Sequence, residues 1–284
     1  MYAIVEKRQL AGGIFLMDVE APRLARSSQP GQFLIVRNHD KGERIPLTIC
    51  DYDATHGTVT IVIQVVGASS RQICDKNAGD YLLDVAGPLG HPAAFVRFPE
   101  EVLRKQRYLF IAGGVGTAPV YPQVKWLQEH GVKADVIIGA KNADMLILQK
   151  EMRAVAHEVF ITTDDGSCGI KGLVTDKMKA LLEEKHTYTQ LVAIGPMVMM
   201  KFVALAAKPF GVPLTVSMNT LMVDGTGMCG SCRVTVGGKT KFTCVDGPEF
   251  DGYAIDFDEA MRRQGMYKPQ EATADCTHKG TKNI

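Results

Sequence analysis

Two rhythms of apolar residues divide the chain. Up to about residue 98, Val, Ile, Leu and Phe come in short runs at 14–19, 32–36, 47–51, 58–66 and 81–85. Turn clusters such as Ala11-Gly12-Gly13 and Gln29-Pro30-Gly31 separate them. Closely spaced strands with no helices between them predict a small antiparallel β barrel over 1–98, with one short helix starting near Ser69-Ser70. After Phe98-Pro99 the rhythm changes. Nearly unbroken apolar stretches at 107–112, 134–139, 158–162 and 191–194 alternate with helical patterns at 118–130 and 177–184. That alternation predicts an α/β doubly wound parallel-sheet nucleotide-binding domain over 99–220. From Leu221 to about Tyr253 the sequence turns Gly-rich and Cys-containing, too poor in apolar residues to form a core alone. A polar tail with a helix near 257–263 completes a small C-terminal segment, 221–284.

Composition narrows the class. The 284 residues are 46% hydrophobic and 22% charged, an ordinary globular balance. A formal charge of +1 argues against a dedicated nucleic-acid binder. No apolar run approaches the roughly 20 residues that cross a bilayer, and the first nine residues lack a signal-peptide pattern. A cytoplasmic protein with no membrane partner is expected. Seven cysteines are present, of which Cys229, Cys232 and Cys244 crowd together, and such clustering suggests metal ligation rather than disulfides. Cys50, Cys74, Cys168 and Cys276 are scattered and read as small buried or half-buried residues.

The sharpest chemical signal is Asp224-Gly225-Thr226-Gly227-Met228-Cys229-Gly230-Ser231-Cys232, followed by Cys244. C-x4-C-x2-C with a distant fourth Cys is the plant-type [2Fe–2S] spacing, and here Asp224 stands at the first position. Thiolates suit iron–sulfur clusters or zinc. Zinc would want a second close ligand pair, and Cys244 has no Cys or His near it in sequence. Three thiolates leave one site of a two-iron cluster open, which the carboxylate of Asp224 could fill; Asp-Gly also serves simply as a turn.

Three strand-end turns point to a nucleotide. Gly113-Gly114-Val115-Gly116-Thr117-Ala118-Pro119 joins a buried strand to a helix, where glycines admit a pyrophosphate and the helix offers free N–H groups. Its spacing departs from the usual G-x-G-x-x-G, and a plain strand–helix turn remains open. Asp165-Gly166, within Thr162-Thr163-Asp164-Asp165-Gly166-Ser167, would accept from ribose hydroxyls and repel a 2′-phosphate, a lean toward NAD over NADP, or form a simple turn. Gly195-Pro196 ends a third strand at the same sheet edge. In the barrel, Arg44-Ile45-Pro46-Leu47-Thr48 offers a phosphate-clamping guanidinium and a hydroxyl four residues on, and Gly67-Ala68-Ser69-Ser70 precedes a helix start. Taken alone, Arg44 also fits a solvated surface charge and Ser70 a plain cap.

Together these pieces resemble the ferredoxin–NADP reductase superfamily. The likeness rests on Pro30-Gly31-Gln32-Phe33, Arg44-Ile45-Pro46-Leu47-Thr48, Gly87-Pro88-Leu89-Gly90, the 113–119 loop, Asp165-Gly166-Ser167 and the cluster loop. A cluster placed after the nucleotide domain narrows it to two groups. One is the electron-transfer subunit of dihydroorotate dehydrogenase, with Cys at the first cluster position. The other is the small subunit of NADH-dependent ferredoxin–NADP oxidoreductase and the similar sulfide dehydrogenase subunit, with Asp there; Gly247-Pro248-Glu249-Phe250-Asp251-Gly252 is also similar to that group. The resemblance implies an oxidoreductase subunit carrying FAD, a [2Fe–2S] cluster and NAD(H) or NADP(H), with a larger flavin/[4Fe–4S] subunit as partner and ferredoxin reached through the complex. Carried over, Arg44 would hold FAD phosphates, Pro46, Leu47 and Thr48 would line the flavin, and Gly67 and Ser70 its phosphate site. Gly113, Gly114, Gly116 and Thr117 would cradle the dinucleotide with Asp165 and Gly166, and Asp224, Cys229, Cys232 and Cys244 would ligate the cluster; hydride transfer needs no protein acid or base. Electron transfer for dihydroorotate oxidation, or a metal-holding regulatory module without hydride chemistry, are the alternatives.

Overall fold

The computed structural model describes residues 1–184 and 187–267. Cys276 lies outside them. The first segment is built from β1 (Tyr2–Ala11), β2 (Ile14–Glu20), α1 (Pro22–Ser27), β3 (Phe33–Arg37), β4 (Arg44–Asp53), β5 (Thr58–Gln64), α2 (Ala68–Cys74), β6 (Tyr81–Leu82) and β7 (Asp84–Leu89). They form one antiparallel sheet in the order β6-β1-β2-β5-β4-β3-β7. Its two edge strands, β6 and β7, are consecutive in the chain and separated only by Leu83, so the sheet rolls until its edges nearly meet. Inward alternation fills the roll with Ile4, Met17, Val19, Leu34, Val36, Ile49, Ile61 and Ile63. The expected barrel is present. The sequence pattern missed β1 and α1. Only Ile4 and Ala11 of β1 are buried, so its charged faces hide the strand period.

The second segment runs α3 (Glu100–Leu103), β8 (Tyr108–Gly113), α4 (Thr117–Glu129), β9 (Ala134–Ala140), α5 (Gln149–Val155), β10 (Glu158–Thr163), β11 (Ile170–Lys171), α6 (Val174–Glu183), β12 (Gln190–Ile194), α7 (Met197–Ala207) and β13 (Leu214–Ser217). The sheet order is β11-β10-β9-β8-β12-β13-β16, parallel throughout except for its last strand, β16 (Glu249–Asp251). Both faces are covered. Leu109, Ile111, Leu191 and Ala193 pack under α6 and α7, whereas Phe110, Ala112, Val192 and Ile194 pack under α4. That two-sided burial is why the strands read as continuous apolar runs.

In the C-terminal segment, β14 (Arg233–Val236) and β15 (Lys239–Phe242) form a hairpin, followed by α8 (Thr243–Asp246), β16 and α9 (Phe257–Gln264). Because β16 pairs with β13, this segment is stitched into the nucleotide sheet. Val234, Phe257 and Ala260 share the core beneath α7.

The lower edge of the sheet is pinned by one carboxylate. Asp135, 1% exposed at the start of β9, accepts from Tyr188 Oη at 2.7 Å and Arg107 Nη2 at 3.3 Å through Oδ2, and contacts His157 Nδ1 at 2.8 Å through Oδ1. These residues precede or begin β8, β9, β10 and β12, so one buried acceptor ties four strands at the end opposite the glycine loop. Tyr188→Phe should remove a bond to a charged acceptor without changing shape. We expect a loss of about 1.5–3 kcal/mol, read as a lowered midpoint in thermal or urea unfolding.

Candidate functional site

The upper, carboxyl edge of the parallel sheet opens into a cleft of about 1100 Å³, where ligands of such sheets bind. Gly113 and Gly114 form its floor, with Lys141 and Asn142 after β9, Asp164 after β10, Thr175 and Lys179 on α6, and Pro196, Met199 and Phe202 from the α7 side. The glycines of the loop do different work. Gly114 has φ +55 and open space above it, the conformation that suits glycine. A Cβ on Gly116 would lie 2.2 Å from the Ile194 carbonyl oxygen, and one on Gly113 would lie 2.3 Å from Met199 Sδ. These two permit close packing of loop, β12 and α7. Thr117 is fully buried beneath the loop and donates from Oγ1 to Gly114 O at 2.9 Å, bracing the turn.

Asp165 is engaged locally. Its Oδ1 accepts from Ser167 N at 2.9 Å and Ser167 Oγ at 2.6 Å, which holds the carboxyl below its ordinary value. Gly166, at φ +80, completes that turn against Lys171. The neighbouring Asp164 lines the cleft instead. Lys141, Asn142 and Lys179 were not singled out from sequence, although the first two directly follow a strand on the ligand edge, the position that rule identifies.

On the barrel, β4 is exposed at Arg44 and half-buried from Ile45 through Thr48 before Ile49 and Cys50 enter the core. Arg44, Pro46 and Thr48 therefore share one semi-open strand face, while Leu47 between them turns toward the barrel core. Ser70 closes the start of α2: its Oγ accepts from Val66 N at 2.9 Å and Gly67 N at 3.0 Å and donates to Gly67 O at 3.0 Å. Its hydroxyl shapes the Gly67 turn, and Ser69 donates to the Glu43 carboxylate beside Arg44.

The cluster loop rests on this barrel. Met222, Cys232 and Cys244 share an apolar patch with Phe33 and Ile35 of β3 and with Ala86 and Leu89 of β7. Phe33 registers with Thr48 and Ile35 with Pro46, so the thiols pack on the strand paired to the semi-open face. Arg44 Nη2 also reaches Asp224 O, at 3.5 Å. Gly225, Gly227 and Gly230 have φ of +81, +86 and +67, as tight wrapping of the loop requires.

Cys232 Sγ and Cys244 Sγ lie 3.2 Å apart, both buried; desolvation and the neighbouring thiol push Cys244 upward. Cys229 is exposed, and the hydroxyl and amide of Ser231, with the Asp224 amide, lower its thiol toward the thiolate. Asp224 Oδ2 accepts from Thr226 Oγ1, from Thr226 N at 3.1 Å and from Met228 N at 3.3 Å, which lowers its carboxyl. The structure thus pairs two of the four donors and leaves the other two at the outer end of the loop. Among the described residues, no group of three or more His, Cys, Asp or Glu side chains converges as a metal site. The chemistry of the set nonetheless fits a cluster: three thiols, one ionised carboxylate, and backbone amides from Asp224, Gly227 and Ser231 directed at cysteine sulfurs. Of the other cysteines, Cys50 and Cys74 are buried with raised thiols, and Cys168 is half-buried. Among the described residues no helix is long and apolar enough to cross a membrane.

Known proteins share this arrangement. Residues 219–256 match the iron–sulfur cluster binding domain of dihydroorotate dehydrogenase B, and residues 110–205 match the oxidoreductase NAD-binding domain. A Clostridium beijerinckii protein described only as an uncharacterized protein in the adh 3′ region is 54% identical over 275 residues, 96% of this chain and 93% of its own. A dihydroorotate dehydrogenase B (NAD(+)) electron transfer subunit homolog from Thermotoga maritima is 44% identical over 268 residues, 94% of this chain and 92% of its own. Among solved structures, the NADH-dependent reduced ferredoxin–NADP oxidoreductase, studied for flavin-based electron bifurcation, superimposes with a TM-score of 0.90 at 41% identity, covering 96% of each chain. The chain, an oxidoreductase electron-transfer subunit with an NAD-binding domain and an iron–sulfur cluster binding domain, therefore belongs to the dihydroorotate dehydrogenase B electron-transfer-subunit family of the ferredoxin reductase superfamily.

Proposed function

We propose that this chain is the nicotinamide-facing subunit of a flavin-bifurcating ferredoxin–NADP oxidoreductase, bound to a larger flavin/[4Fe–4S] subunit through which ferredoxin is reached. The observation that carries the reading is the seating of the cluster loop on the barrel strand paired to Arg44–Thr48. It supports the reading because Cys232 and Cys244 pack against Phe33 and Ile35, the register partners of Thr48 and Pro46. Asp224 at the first cluster position and the 41% identity to the solved oxidoreductase support it further.

When bound, flavin supplies the exchange between two-electron hydride chemistry and one-electron transfer, and the cluster supplies one-electron steps. The chain's own residues bind and orient. Arg44 holds the flavin phosphates by charge-assisted bonds, aided by the turn at Gly67 that Ser70 shapes. Pro46, Leu47 and Thr48 line the ring. Gly113 and Gly114 admit the dinucleotide's pyrophosphate, and Gly116 and Thr117 hold that loop in shape. Asp165 and Gly166 fix the turn that presents Asp164 to a ribose, where a carboxylate disfavours a 2′-phosphate; NAD(H) is the better fit than NADP(H). Cys229, Cys232, Cys244 and Asp224 ligate the cluster. Rate enhancement then rests on alignment of the rings rather than on a protein acid or base.

A second reading, electron transfer for dihydroorotate oxidation, draws on the cluster-domain match and the Thermotoga maritima relative. Anaerobic purification from the native host separates the two. A coloured complex bleached by NADH, with a larger flavin/[4Fe–4S] protein attached, supports the bifurcating enzyme. A dihydroorotate-oxidising partner supports the second reading, and a colourless chain defeats both.

The Asp224 assignment has its own test. Asp224→Cys should retain a [2Fe–2S] spectrum with a displaced reduction potential, while Cys232→Ala should lose most of the cluster, both followed by electron paramagnetic resonance and redox titration. An Asp224→Ala protein with spectrum and potential unchanged would show that the carboxylate only caps its loop.

A further inference from the structure

Glu249 lies where the three segments meet. It is the first residue of β16 and registers with Ser217 at the upper end of β13. Strand alternation sends Phe250 into the core under α7 and turns Glu249 to the opposite face, toward α4. There Gln123 donates from Nε2 to Glu249 Oε1 at 2.8 Å. The preceding residues touch the barrel: a Cβ on Gly90 would fall 2.9 Å from both Pro248 Cδ and Phe33 Cε1, and His91 N donates to Gly247 O at 2.7 Å. Phe33 is the cross-strand partner of Thr48. One carboxylate thus stands between the helix that follows the dinucleotide loop and the barrel strands beside the candidate flavin surface.

Its surroundings hold a proton as readily as they hold a charge. Tyr108 on β8, whose phenol burial keeps neutral, feels the charge of Glu249, and α4 contributes the neutral amide of Gln123. Ser217 is its neighbour on β13. From the barrel side the nearby titratable group is His91, which acts on Asp246 rather than on Glu249; Lys241 likewise pairs with Asp246. With protein crowding it, the carboxyl is pushed up to about 7, the bond from Gln123 pulling the other way. The residue as a whole is half-buried. Gln123 is 1% exposed, and among the described residues its Oε1 has no hydrogen-bond partner. A protonated carboxyl is a donor, so after a turn of the amide Glu249 can give that oxygen the partner it lacks. The pair accommodates both ionisation states, Gln123 donating to the carboxylate and the carboxylic acid donating to Gln123.

We propose that Glu249, paired with Gln123, is a proton-holding positioning residue that takes up one proton as negative charge accumulates on the flavin side of the junction and releases it as that charge leaves. The inference rests on the flavin placement proposed above. Only a proton moves: carboxylate plus one proton from water becomes carboxylic acid, no carbon bond changes, and the electrons come from the reduced nicotinamide dinucleotide.

The test compares wild-type protein with Glu249→Gln and Gln123→Leu, all as full-length, flavin-loaded chains. A raised carboxyl favours folding fully below the unfolded value of 4.5 and loses that contribution as pH rises through about 7. The wild-type melting temperature should therefore fall relative to Glu249→Gln between about pH 5 and about pH 8. A carboxylic C=O band in infrared difference spectra should titrate over the same window and vanish in the variant. The flavin midpoint potential should show a one-proton inflection near neutrality that Glu249→Gln lacks. Gln123→Leu should move the inflection to higher pH, since a donor to the carboxylate is gone. Wild type and Glu249→Gln with the same potential-against-pH slope, in chains shown to carry flavin, overturn the coupling alone. A chain that binds no flavin defeats the functional reading and the coupling together.

Discussion

Burial of Cys232 and Cys244 against Phe33, Ile35, Ala86 and Leu89 is the contact on which the remaining arrangement depends, because the loop at 225–230 has too few apolar residues to order itself. Folded alone, a Gly-rich loop loses more backbone entropy than its own contacts return. Here the loss is offset by packing on a barrel that is already complete. The same packing fixes spatial order, since electron transfer weakens steeply with separation and a wandering loop would interrupt it. Gly225 shows how close the approach is: a Cβ there would lie 2.9 Å from Ile35 Cγ1. Seam and chemistry are one constraint, and neither the barrel nor the loop satisfies it separately.

The parallel sheet meets a related demand with opposite treatment of its two ends. At the lower end, Asp135 concentrates three donor contacts on a nearly sealed carboxylate and holds four strands in register. At the upper end, Gly113, Gly114 and Pro196 keep the strand termini open to the cleft. A rigid base is what lets the open edge keep its shape without ligand-sized side chains bracing it. Division of labour continues within the glycine loop, where Gly114 supplies a positive φ and Gly116 supplies contact with Ile194.

Much of this was legible in the sequence, for physical reasons that differ from element to element. The buried strands of the second segment were plain because two-sided burial leaves few polar positions, and none at Leu109–Gly113. The cysteines of the C-terminal loop stood out by spacing, and the structure seats their segment against the barrel. β1 escaped because its alternating period is masked by Glu6, Lys7 and Arg8 on a largely exposed strand. Of two adjacent acids, the pattern could not say which faces the cleft: Ser167 occupies Asp165, a turn detail that emerges only in three dimensions. Gln123 and Glu249 escaped for a stronger reason. They are 126 positions apart, and no local pattern connects a polar residue inside a helix to the first residue of a short strand.

The route of the last strand explains why a carboxylate stands at that junction at all. β16 must return antiparallel to β13 to tie the cluster segment to the nucleotide sheet, and period-2 alternation obliges one of its residues to face α4 when the next faces α7. Phe250 takes the α7 side, where a ring fills the core. An apolar residue at 249 would take from Gln123 Nε2 the acceptor it has in Glu249. A carboxyl there gives Gln123 an acceptor, raises its own proton affinity through crowding, and leaves part of the residue open to solvent. The strand that secures the segment thereby also sets an ionisable group beside the barrel, and a single backbone path accounts for both.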